Sequence, residues 1–150
     1  MTLMINRRQA LAVGAGAVVL AGGFSVPAFA KNDSAELIEK FTGGKKPADG
    51  KIKLDLPEIA ENGNTVPMTV SVESPMTEQS YVQEVLLVTD ENPRAGVATF
   101  HFTPQSGVAE ANVRIRLAQT QNVVAIAKMN DGSLFTTSKQ VKVTIGGCGG

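Results

Sequence analysis

The chain is 150 residues long, with 14 Lys and Arg against 14 Asp and Glu and a formal net charge of +0. That balance, with no basic block anywhere in the sequence, excludes a nucleic-acid or membrane-surface protein. The length is that of one domain, and a single cysteine means that no disulfide can close within the chain.

Met1 to Lys31 reads as an export signal. Arg7 and Arg8 form its positive region, Leu11 to Ala21 its apolar stretch, and Ala28-Phe29-Ala30 an A-x-A cleavage site, so the mature chain is expected to begin at Lys31. The apolar stretch is shorter than the about 20 residues a transmembrane helix needs, and no later segment comes close. No cysteine directly follows it to carry a lipid anchor. Asn6-Arg7-Arg8-Gln9-Ala10-Leu11 resembles the twin-arginine export signal, with Ala10 where that pattern usually has phenylalanine. Cleavage removes two arginines and no acid, which tips the mature chain to a small negative charge.

Asp33 to Phe41 reads as a short helix: Asp33 or Ser34 can cap its first turn, Leu37, Ile38 and Phe41 share a face, and Gly43-Gly44 stop it. Pro47 to Gly50 reads as a turn, after which the chain is β throughout. Ile52, Leu54 and Leu56 alternate with Lys51, Lys53 and Asp55, and Val66, Met68, Val70 and Val72 alternate with polar residues up to Glu73. Asn62-Gly63-Asn64 and Ser74-Pro75 punctuate either side of that second strand. Further strands are expected over Tyr81 to Thr89, Gly96 to Thr103, Ala111 to Ala118, Gln121 to Met129 and Leu134 to Ile145, with Asn130-Asp131-Gly132 as a hairpin turn. Short strands with a turn about every ten residues indicate an all-β, immunoglobulin-like antiparallel sandwich over residues 31–145, following a signal peptide over 1–30. Val85 to Val88 and Val123 to Ala127 are apolar on both faces, whereas an antiparallel sheet ordinarily leaves one face to water. Either the N-terminal helix, a long loop or a partner protein is expected to cover the outer face.

Side chains with chemistry are sparse. His101, between Phe100 and Phe102, is expected outward on its strand as a surface or rim histidine. Met68, Met76, Met129, His101 and Cys148 are conceivable soft copper ligands, but they are scattered singly and Met68 reads as core. No C-x-x-C suggests a dithiol oxidoreductase, and the acid pairs show no spacing for acid–base work. Arg114 and Arg116 share the outward face of one strand, as solvated surface or an interface patch. No catalytic residue, metal or cofactor is expected.

The distinctive feature is the terminal Gly146-Gly147-Cys148-Gly149-Gly150. Glycine visits both signs of φ and offers nothing to pack a sulfur against, so residues 146–150 are expected to form a flexible arm that presents the thiol. No nearby cation or histidine lowers its pKa, so activation is expected from whatever receives the arm. An odd exported cysteine is otherwise an intermolecular disulfide partner in a structural or adhesive sandwich, or part of a metal-handling domain.

An exported immunoglobulin-like domain ending in Val141-Lys142-Val143-Thr144-Ile145-Gly146-Gly147-Cys148-Gly149-Gly150 resembles the SoxY family, the Y subunits of the SoxYZ sulfur carriers of thiosulfate-oxidising bacteria. The resemblance implies a periplasmic, non-enzymatic carrier. In it Cys148 would hold thiosulfate-derived intermediates covalently, and Gly146, Gly147, Gly149 and Gly150 would be the swinging arm. It further implies a heterodimer with a SoxZ-type subunit and transient visits to the haem enzyme SoxXA, the manganese hydrolase SoxB and, where present, the sulfane dehydrogenase SoxCD.

Overall fold

The computed structural model describes residues 32–147, so the expected export signal lies outside the described residues. Helix α1 (Ser34–Thr42) precedes strands β1 (Ala48–Asp49), β2 (Ile52–Asp55), β3 (Ile59–Asn62), β4 (Val66–Val72), β5 (Val82–Thr89), β6 (Gly96–His101), β7 (Ala109–Ile115), β8 (Gln121–Met129) and β9 (Leu134–Ile145), with one 3-10 turn at Pro104–Ser106. One sheet runs β1-β9-β8-β5-β6, with β3 also on β9, and the other runs β2-β4-β7. The two face each other as the expected sandwich.

Alternation in the sequence becomes alternation in burial. Val66, Met68, Val70 and Val72 of β4 point inward against Val85 and Leu87 of β5 and Val123, Ala125 and Ala127 of β8. Full burial of each such valine or leucine contributes about 1.5–3 kcal/mol before entropy is counted.

Two pairings depart from a purely antiparallel reading. At 12 residues β9 outruns its antiparallel partner β8, and its other edge takes up β1 and then β3, both parallel. The expected turn at Pro47 to Gly50 therefore contains the two-residue β1, paired with Phe135 and Thr136, and the chain crosses to β2 of the other sheet through Gly50 and Lys51, both at positive φ. β3 went unread because its pattern is inverted: Ile59 is exposed and only Ala60 is buried, so no apolar alternation marks it.

Strands β5 and β8 are apolar on both faces because α1 covers the outer one. Leu86, Val88 and Ile126 are buried on the side away from the sandwich core. Over them α1 packs on β5, Leu37 lies against Gly96 of β6, and the Phe41 ring sits 4.6 Å from Lys128 Nζ. The cover is the chain's own helix. Its N-terminus differs from the expected capping: Asp33 makes no side-chain cap, because its Oδ1 accepts the Ala95 N–H at 2.9 Å and so ties the helix to the β5–β6 turn. Asn32 Oδ1 accepts the Ser34 N–H at 2.9 Å. Gly43, left-handed at φ 64°, ends the helix as expected.

Candidate functional site

The terminal glycines continue directly from β9. That strand ends between two turns, the β3–β4 turn at Gly63 and the β7–β8 turn at Leu117 and Ala118. A short backbone ladder closes the three segments on one another. Gly63 N–H donates to Ile145 O at 2.7 Å, Leu117 N–H to Gly63 O at 2.8 Å, and Gly147 N–H to Leu117 O at 2.8 Å. Just upstream, Val143 N–H donates to Thr120 Oγ1 at 2.9 Å.

The fit requires glycine at each crossing. A Cβ on Gly146 would fall well inside contact distance of the Ala118 carbonyl oxygen, one on Gly63 would do the same to the Leu117 oxygen, and one on Gly147 would stand 2.7 Å from the Gly63 oxygen. Backbone oxygens cannot rotate away as a flexible side chain can. Gly147 is buried. Gly146 and Gly147, expected to open the arm, lie against these turns, where their lack of a side chain serves close approach of backbones. Cys148, Gly149 and Gly150 lie outside the described residues.

His101 stands at the other end of the sheet. Its Nδ1 lies 3.2 Å from Glu84 Oε1, and Lys128 Nζ lies 3.4 Å from Glu84 Oε2, with the His101 side chain 69% exposed. His101 pairs with Glu84, Glu84 with Lys128 and Lys128 with Leu134, so it sits level with the start of β9 while the glycines follow its end. At about 3.3 Å per residue, the length of β9 separates the two by on the order of 30 Å. His101 is a rim residue and cannot serve as base to a thiol one residue beyond Gly147.

Met68, Met76 and Met129 all belong to the buried core, so they do not gather with His101 as a soft metal site. No group of three His, Cys, Asp or Glu side chains suited to a metal occurs among the described residues. Arg114 and Arg116 are exposed, as expected for solvated surface. The sequence reading missed the partners of the seated glycines, Gly63, Leu117 and Ala118. Asn62-Gly63-Asn64 signalled a turn, but no sequence pattern reveals which distant backbone a turn approaches.

Comparison with known proteins bears on this arrangement. The family model of SoxY, sulfur oxidation protein SoxY, matches residues 38–148 and so extends through the cysteine. Among solved structures, the sulfur carrier protein SoxY from Chlorobium limicola f thiosulfatophilum superimposes with a TM-score of 0.61 at 32% identity, covering 74% of this chain and 96% of that one. A superoxide reductase (neelaredoxin) from Ignicoccus hospitalis matches with a TM-score of 0.57 at 19% identity, over 63% of this chain and 80% of that one. A putative superoxide reductase from Thermotoga maritima gives a TM-score of 0.53 at 16% identity, over 69% and 89%. At those identities the reductases share the fold alone. No curated protein sequence matches.

Proposed function

The chain belongs to the SoxY family, and we propose that it is a covalent carrier of sulfur intermediates in thiosulfate oxidation, with Cys148 as the attachment point. The observation that carries this reading is the family match running through residue 148, on a chain whose sole cysteine immediately follows a seated glycine pair. Joining the Cys148 thiolate to the outer sulfur of thiosulfate forms one S–S bond and releases two electrons, which a haem partner of SoxXA type accepts. Attack of water on the terminal sulfonate sulfur then releases sulfate and leaves a persulfide on Cys148, the step assigned to a SoxB-type manganese hydrolase. Sulfur left on the cysteine goes to a SoxCD-type dehydrogenase where one is present. The carrier itself supplies a thiol and a tether; the partners supply the catalysis.

The organisation that fits this role is a signal peptide over 1–30, a sandwich domain over 31–145 and an arm over 146–150, acting in the periplasm as a heterodimer with a SoxZ-type subunit. Tethering suits the chemistry, because a small anion diffuses away between enzymes whereas a bound one meets each active site at high effective concentration.

Intact mass of protein purified without reductant tests the proposal. Sulfonate or polysulfur adducts that disappear in Cys148→Ser are expected, together with loss of thiosulfate-dependent turnover in a reconstituted system. A disulfide-linked homodimer without adducts, or turnover retained by the serine variant, would overturn it.

A further inference from the structure

We propose that Asn92 and Gln121 are positioning residues of the carrier arm: their paired amides hold the β7–β8 turn in the one arrangement that seats Gly147, the residue before the cysteine. The inference rests on the carrier reading for its functional meaning, and on geometry for the rest.

Both side chains are 2% exposed. A buried amide is costly unless every polar atom is partnered, and here every one is. Gln121 Oε1 accepts the N–H groups of Glu91 at 3.1 Å and Asn92 at 3.0 Å. Gln121 Nε2 donates to Asn92 Oδ1 at 2.6 Å and to Gln119 O at 3.0 Å. Asn92 Oδ1 also accepts the Ala118 N–H at 2.9 Å, and Asn92 Nδ2 donates to Arg116 O at 2.8 Å. The pair thus holds the backbone at residues 116, 118 and 119. Leu117, inside that grip, spends its own N–H on Gly63 O and its own carbonyl on Gly147 N–H.

The same turn is therefore fixed by the amides on one side and grips the arm root on the other. Apolar packing tolerates rearrangement, whereas a fully satisfied buried polar network specifies one geometry. The network also reaches the mature N-terminus, because Asn32 Nδ2 donates to Asn92 O at 2.6 Å and to Thr89 O at 3.2 Å. Losing Asn92 orphans the Arg116 carbonyl and the Ala118 N–H, and the turn is then free to drift from Gly147.

Hydrogen exchange read by mass spectrometry on the full mature protein in its native assembly tests this, comparing the C-terminal peptide with a peptide from β4. Asn92→Ala is expected to speed exchange of the C-terminal peptide about tenfold or more relative to β4, as for a hydrogen bond whose support is lost. Thiosulfate-dependent turnover should fall with it. Gln121→Met removes the bond to Asn92 Oδ1, the hold on Gln119 O and the two bonds that fix the Glu91 and Asn92 N–H groups, and decides the matter if Asn92→Ala fails to fold. Met129→Ala, a core cavity at the far end of β8 from the turn, is the control and should leave that ratio unchanged. Wild-type exchange at the C-terminal peptide in both amide variants would overturn the proposal, as would an equal change in Met129→Ala. Failure of the wild-type protein to take up a thiosulfate adduct would overturn the carrier reading instead, and the exchange ratio still decides the positioning role.

Discussion

Single atoms decide the terminal glycines. A methyl group at Gly146 meets the Ala118 carbonyl oxygen, and one at Gly147 meets the Gly63 oxygen at 2.7 Å. Composition alone marked these residues for flexibility, whereas their neighbours make them residues of close approach. A different residue-scale effect shifts one titration. Asp131, fully exposed in the β8–β9 turn, has its carboxyl held below the ordinary range first by the Ser133 side chain and then by the Ser133 N–H, which lies 2.8 Å from Oδ1. A depressed folded pKa adds stability above the unfolded value of about 3.9, and that contribution is lost as pH falls through the folded pKa. In Ser133→Ala, which keeps the N–H, the Asp131 midpoint followed by NMR titration is expected to rise part of the way toward the unfolded value; an unchanged midpoint would show that the Ser133 side chain is not the leading cause.

At the scale of elements, most of the sandwich was legible because β4, β5, β7 and β8 carry long alternating or doubly apolar runs bounded by turns. β1 and β3 were not, because each is short and is recruited by the spare edge of β9, a property of the partner strand. The cysteine was legible from its place and company, while the ladder through Gly63 and Leu117 joins segments far apart in sequence and leaves no periodic trace. The doubly apolar strands posed a choice between helix and partner, and α1 decides it. Ile126, 1% exposed, lies under that layer. Ile126→Asp is therefore expected to destabilise the chain itself by more than about 3 kcal/mol, since an unpaired charge would be buried whether or not a partner is bound. Thermal denaturation checks this. A variant that keeps its melting temperature and only loses a partner would show that the face is an interface.

For the molecule as a whole, seating divides the arm into a root and a tip, and the two can be tested separately. Gly149→Val thickens the tip beyond the cysteine and leaves the ladder intact, so Cys148 should keep its wild-type alkylation rate while turnover by partner enzymes falls. Gly147→Val also breaks the seat, and should raise exchange at the C-terminus as well as slowing turnover. Kinetics and exchange measured on both variants distinguish these patterns; matching exchange in the two would mean that residue 147 is not anchored in solution.

The Gly147–Leu117 hydrogen bond also sets the length of a leash. A tether rooted at Gly147 is one residue, about 3.8 Å, short of position 148, whereas one rooted at Ile145 is three residues, or about 10 Å at full stretch. The volume a tether searches grows with the cube of its length, so rooting at Gly147 would raise the effective concentration of whatever it carries more than tenfold. A net backbone hydrogen bond contributes only about 1 kcal/mol, roughly a fivefold bias, so a partner with a deep active site can lengthen the leash at little cost. A carrier tethered in this way would serve both shallow and deep sites, with the choice made by the enzyme that docks.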